Sequence, residues 1–297
     1  MAFEWKGVFP AITTKFTAND QLDLPLFEKN LQAQFAAGVE GIILGGTLGE
    51  ASVLTTEEKE TLVKFTVERS GDKPVIINIA EGSTKEALQQ AAYAKQWGAK
   101  GLMILPPMRY KADHREVVTY FKTIAGNTDL PVMIYNNPVD YKIDVTPDMF
   151  DDLQSCKNIT AIKESTRDVT NITRLKNRFG DRYKILCGVD TLAMEELLLG
   201  ADGLVAGLVC AFPKETVVLY NWVKEGRIAD ATKLYRWFMP LLELDIHPKL
   251  VQYIKLAETQ VGIGSEYVRP PRLTLTGEER ERILKVINDG IAARPQL

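Results

Sequence analysis

The chain has 297 residues, 45% hydrophobic and 25% charged, with a net charge of −3. These are globular proportions with material for one large core, and the dispersed basic residues speak against a nucleic-acid partner. No apolar run reaches the roughly 18–20 residues of a membrane span.

No basic segment leading into an apolar one opens the chain, so a cytoplasmic protein is expected. Cys156, Cys187 and Cys210 fit neither a zinc motif nor a disulfide framework. The two histidines, His114 and His247, lie far apart. Neither a histidine-rich metal site nor a Ser-His-Asp triad is expected.

Short apolar runs recur along the chain, bounded by Gly, Pro, Asn or Asp. They cover 7–12 (GVFPAI), 41–46 (GIILGG), 75–80 (VIINIA), 101–106 (GLMILP), 132–136 (VMIYN), 159–163 (ITAIK), 184–187 (KILC) and 203–209 (GLVAGLV). Continuous apolar runs of this length read as strands buried on both faces. Amphipathic stretches at 26–37, 56–70, 84–97, 115–126, 147–155, 170–179 and 194–199 separate them. Thr55 before Glu58 and Ser83 before Glu86 have capping-box spacing. Glycines at 98, 126 and 180 mark helix ends.

Eight strand–helix alternations predict a parallel sheet, and eight strands close a barrel. The rival open sheet lacks its usual GxGxxG after the first strand. Helical segments alone follow, at 214–225, 228–244, 249–261 and 277–292. We therefore expect a (β/α)₈ barrel over 1–211 and a helical extension over 212–297, packed on the barrel.

In such a barrel, chemistry sits at the C-terminal ends of the strands. Lys163 ends an otherwise apolar strand. A buried ammonium is costly unless paired or deprotonated, and a neutral amine attacks ketones. Position alone leaves two readings, nucleophile or structural ion pair, the latter with Glu164 or a strand neighbour. Ser165, two residues on, points to the same side, or else caps the following helix. Tyr135 is a proton carrier or an amphipathic rim residue. The glycines of Gly45-Gly46-Thr47-Leu48-Gly49-Glu50 expose backbone N–H groups suited to a carboxylate or phosphate. Gly188 makes room for substrate or a tight turn.

Taken together, these residues resemble the dihydrodipicolinate synthase / N-acetylneuraminate lyase family of class I Schiff-base enzymes. The likeness spans essentially the whole chain. It rests on Gly46-Thr47-Leu48-Gly49-Glu50, Tyr135-Asn136-Asn137-Pro138, Ile162-Lys163-Glu164-Ser165 and Cys187-Gly188-Val189-Asp190, in family order. The resemblance implies that Lys163 attacks the ketone of pyruvate or a related 2-oxo acid, and that Tyr135 shuttles protons. Thr47 and the Leu48 N–H would hold the substrate carboxylate, and Gly188 and Val205 would line the pocket. It also implies no cofactor, no metal, and a homotetramer built as a dimer of dimers.

Three positions depart from the synthase pattern. Leu48 replaces a hydroxyl. Asp140 stands where an arginine would clamp a carboxylate, and Arg109 stands where a tyrosine is usual, with Tyr110 beside it as a partial substitute. Together they speak against the lysine-biosynthesis reaction. The expected activity is therefore dehydration, deamination or aldol cleavage of a small hydroxylated 2-oxo acid, with 4-hydroxy-pyrroline-2-carboxylate deamination as the specific case. The alternatives are 4-hydroxy-tetrahydrodipicolinate synthase, a 2-keto-3-deoxy sugar-acid aldolase, or a non-catalytic ligand-binding barrel. Asn136, Ser165, Arg109 and Asp140 are the residues expected to read the distal part of the substrate.

Overall fold

The computed structural model describes residues 3–297. Met1 and Ala2, at the head of the segment read above for a signal sequence, lie outside the described residues. Eight strands form one parallel sheet: β1 (Gly7–Pro10), β2 (Ile42–Leu44), β3 (Val75–Ile79), β4 (Gly101–Ile104), β5 (Val132–Asn136), β6 (Ile159–Glu164), β7 (Lys184–Cys187) and β8 (Gly203–Ala206). Their order is β1-β8-β7-β6-β5-β4-β3-β2. A parallel bridge between Ala11 and Ile43 brings the two end strands together and closes the barrel. The strands are nearly all buried, as sheets covered by helices on the outside require.

Helices α1 (Leu24–Ala37), α2 (Thr56–Arg69), α3 (Thr84–Gln96) and α4 (His114–Ala125) alternate with the first five strands. Next come α5 (Pro138–Tyr141), α6 (Pro147–Asp152), α7 (Thr170–Phe179) and α8 (Ala193–Leu198). Thr55 and Asp113 form reciprocal capping boxes with Glu58 and Glu116, which fixes where α2 and α4 begin. Helix α5 was not expected. Asn137 starts it by accepting from the Asp140 N–H, with Pro138 at the first helical position.

Helix α9 (Pro213–Lys224), counted above with the extension, packs on α1, α8 and β1 and completes the helical ring. Beyond it lie α10 (Ile228–Leu242), α11 (Leu250–Gln260) and α12 (Gly277–Ala292). The helix expected over 228–244 instead gives way at Glu243–Ile246 to a 3-10 turn. That turn brings Asp245 to the mouth of the barrel. Among the described residues, no helix is long and apolar enough to cross a membrane.

Candidate active site

Register decides which strand-end side chains meet. Tyr135 pairs with Lys163, and Asn136 with Glu164. Successive residues of a strand face opposite sides, so Tyr135 and Lys163 point into the barrel while Asn136 and Glu164 point toward the helices. The Lys163 Nζ lies 3.9 Å from the centroid of the Tyr135 ring. Among the described residues it has no hydrogen-bond partner and no carboxylate within ion-pair distance, although Lys163 is only 7% exposed. Burial lowers its pKa, opposed by the acidic groups around it, Tyr141, Asp245, Asp190 and Cys187.

The ion pair with Glu164 entertained above is excluded by this geometry. Glu164 instead accepts from the Thr166 N–H at 2.6 Å and from Asn171 Nδ2 at 2.7 Å. Burial pushes its carboxyl up to about 6.

Gly188 is explained by crowding. A Cβ there would overlap the Ser165 Oγ and come within 2.6 Å of the Lys163 Cε. Ser165 therefore stands beside Lys163, as its spacing predicts. Its hydroxyl is buried near the Tyr135 hydroxyl, whose pKa it lowers, and α7 has no side-chain cap from it. Val205 is buried on β8. Its neighbours Leu204 and Ala206 line a small void facing α9 and α10, so Val205 alternates inward.

Two tyrosines meet at the mouth. The Tyr135 hydroxyl accepts from Asn137 Nδ2 at 3.1 Å. Tyr141, at the end of α5, stands edge-on to Tyr135 with ring centroids 5.6 Å apart. Its hydroxyl is 3.0 Å from Thr47 Oγ1. Burial pushes both phenols up to about 12. Each stays protonated near neutrality and is set up to donate. Tyr141 was missed in the sequence. The readable signal was the Asn-Pro pair that starts α5. Tyr110, expected as a partial substitute for the tyrosine after β4, is 58% exposed on the single chain, and Tyr141 stands beside Thr47.

The glycine loop after β2 is held at its far end. Glu50, fully buried, forms an ion pair with Lys255 of α11 and accepts from the Arg269 N–H at 3.1 Å. Leu48 is buried. A Cβ at Gly207 would come within 2.9 Å of the Leu48 Cδ1 and would overlap the Asp245 carboxylate. Leu48 and Asp245 thus meet over the end of β8. Asp190 binds the N–H groups of Gly207 at 3.1 Å and Leu208 at 2.8 Å, fixing the turn that leaves room for Asp245.

One residue expected to read the substrate, Asn136, is placed otherwise. The Asn136 amide donates to Asp144 and to the Val145 carbonyl, and its oxygen accepts from the Val145 N–H. It faces away from the barrel interior and braces the loop after β5, because its neighbour Tyr135 occupies the inward position. Arg109 is exposed, and its Nε lies 3.0 Å from where a Gly82 Cβ would stand, against the loop after β3. Asp140 is on the rim, bound by Asn137 Nδ2 at 2.7 Å. That same amide contacts Tyr135.

The site thus unites a buried unpaired amine, a phenol against it, a hydroxyl pair at the mouth and a crowded glycine. Comparison with known proteins adds to this geometry. The Dihydrodipicolinate synthetase family matches residues 4–289. A 4-hydroxy-tetrahydrodipicolinate synthase of Methanothrix thermoacetophila is 29% identical over 95% of this chain and 96% of its own length. A dihydrodipicolinate synthase structure from Bacillus anthracis superposes with a TM-score of 0.93 at 27% identity, covering 100% of both chains. A prophage protein of the dihydrodipicolinic acid synthase family from E. coli K12, solved in complex with pyruvate, gives 0.90 at 26% identity over 97% of this chain and 99% of its own.

Proposed function

The chain belongs to the dihydrodipicolinate synthetase family, and from that premise we propose that it captures pyruvate, or a similarly small 2-oxo acid, on Lys163 and makes or breaks the bond at the adjoining carbon. It is a lyase of the class I type, so the non-catalytic alternative is set aside. The observation that carries the proposal is the buried Lys163 amine, 3.9 Å from the Tyr135 ring and without a carboxylate partner. An amine so placed is shifted toward its neutral, nucleophilic form.

The amine adds to the ketone carbon. Tyr135, held by Asn137, donates a proton to the departing hydroxyl, and water leaves as the imine forms. Thr47, positioned by Tyr141, and the N–H groups of its loop hold the substrate carboxylate. The protonated imine draws electrons from the neighbouring carbon, which loses a proton and becomes an enamine. That carbon attacks an aldehyde, and the new alkoxide takes a proton. Water then releases the product and regenerates the Lys163 amine. Cleavage is the same sequence reversed.

The names of the relatives favour the bond-forming synthase, offered above as the alternative, over deamination of 4-hydroxy-pyrroline-2-carboxylate, which they do not support. A cytoplasmic homotetramer is the assembly we propose with it. The test is consumption of pyruvate in the presence of an aldehyde panel. Joint, aldehyde-dependent loss of both reactants supports an aldol enzyme. Ammonia release from the hydroxypyrroline with no aldol product would restore the deaminase reading.

A further inference from the structure

Thr47-Leu48-Gly49-Glu50 form one tight turn, closed by the Glu50 N–H donating to the Thr47 carbonyl at 3.1 Å. Among the described residues, neither the Leu48 nor the Gly49 N–H at its centre donates to another backbone group, which leaves both for an anion. The turn is tightly wound. Gly49 doubles back on Gly45, so that a Cβ on it would come within 3.0 Å of the Gly45 nitrogen. Glu50 takes the left-handed conformation, with φ at 53°, which side-chain-bearing residues rarely adopt. Backbone in that region persists only where its surroundings hold it.

Two buried anchors do so. On one side the Thr14 hydroxyl, in the loop after β1, donates to the Gly49 carbonyl at 2.6 Å. On the other, the Glu50 carboxylate pairs with Lys255 through Oε1 and accepts from the Arg269 N–H at 3.1 Å through Oε2. These partners are themselves fixed. Lys255 donates to the Tyr267 carbonyl at 2.7 Å. The Arg269 guanidinium grips both Glu58 oxygens, at 2.7 and 2.8 Å, and Asp20 at 2.7 Å. An ion pair for folding alone could stand anywhere in the seam; this one and a hydroxyl converge on a single four-residue turn whose first residue is Thr47.

Resting on the carboxylate-holding role read for this loop above, we propose that Glu50 and Thr14 are positioning residues. They fix the turn from behind and thereby set the affinity for the carboxylate of the 2-oxo acid, taking no part in the bond chemistry. The helical extension, through Lys255 and Arg269, thus reaches the binding site by way of Glu50.

The experiment traps the imine with cyanoborohydride on the full-length chain, using pyruvate and, separately, methyl pyruvate, the same ketone with its charge capped. The dependence of trapping rate on ketone concentration gives a half-saturating value that does not depend on how much of a sample is folded. For Glu50→Gln that value should rise about tenfold or more with pyruvate, and for Thr14→Val about threefold. With methyl pyruvate it should move less than about twofold, and the limiting rate per folded chain should hold, as for an interaction that serves binding and not the bond-making step. Thr14→Val leaves the buried ion pair intact, so it decides the matter if Glu50→Gln does not fold. Equal rises for the two ketones overturn the inference. So does a pyruvate value unmoved in the folded variants, with only the amount of adduct reduced, since the anchors would then serve folding alone. An adduct on Lys163 with either of those outcomes sinks only the positioning inference, whereas no Lys163 adduct in the unmodified chain sinks the imine reading beneath it.

Discussion

Among the described residues three lysines are buried, and they are buried in two different ways. Lys15 and Lys255 sit in the polar seam between the first two strand-end loops and α11, at 1% and 0% exposure, and each is paired with a carboxylate. Lys15 meets Glu258 at 3.0 Å and Lys255 meets Glu50. Asn30 and Thr13 add hydrogen bonds to the same Glu258 oxygen. Lys163, at the barrel mouth, meets an aromatic face instead. The first arrangement is how a protein keeps a charge inside; the second keeps an amine that is free to react. Burial alone does not mark a catalytic lysine, but burial without a partner does.

The comparison breaks most sharply by exchanging the lysines. Lys163→Met should abolish turnover, with a loss on the order of 10⁴-fold or more in kcat, since the nucleophile itself is gone. Its urea midpoint should hold or rise, because an uncompensated polar group leaves the core. Lys255→Met should do the opposite to stability. It strands the Glu50 carboxylate and should cost about 3–5 kcal/mol in urea unfolding. If Lys163→Met unfolds the chain as readily as Lys255→Met, the two lysines are alike and the contrast fails.

Smaller changes sharpen the same picture. Tyr135→Phe should lower kcat by roughly 10²–10⁴-fold, with Tyr141→Phe less severe, because Tyr135 hands over the proton and Tyr141 positions Thr47. Pyruvate capture should accelerate with pH and level off below the ordinary lysine pKa, since burial lowers that of Lys163; a profile still rising at the ordinary value would contradict this.

The mildest effect lies at Glu196, buried behind β7 with both carboxylate oxygens unpartnered. Burial raises its pKa from 4.5 to about 8. The folded chain then holds a proton that the unfolded chain gives up, so this contribution to stability is full below about pH 4.5 and is lost as pH rises through about 8. Glu196→Gln should flatten that slope in chemical-denaturation series from pH 5 to pH 8, and an unchanged slope would assign it elsewhere.

Much of this was legible in sequence because it depends on local periodicity. Eight buried runs specify eight strands. Spacing by two puts Ser165 with Lys163, and the same rule, applied to Tyr135, shows that Asn136 must turn away. What escaped depends on tertiary approach. Tyr141 meets Thr47 across 94 residues, through a one-turn helix whose start only the Asn-Pro pair announces. Asp245 enters the site because α10 stops at Leu242, whereas its apolar pattern runs on to Leu244. The pairing of Lys15 and Lys255, and the solitude of Lys163, are likewise set by which strands and helices come together. The apolar strand and its motif single out Lys163, but no local pattern tells that it is unpaired while Lys15 and Lys255 are paired.

The most direct test is to reduce the chain with borohydride in the presence of pyruvate, digest it and locate the modified lysine by mass spectrometry. A single adduct on the peptide carrying Lys163, absent from Lys163→Met, is the predicted result. An adduct on Lys15, Lys255 or a surface lysine, or none at all, would contradict the assignment of the unpaired amine as the nucleophile.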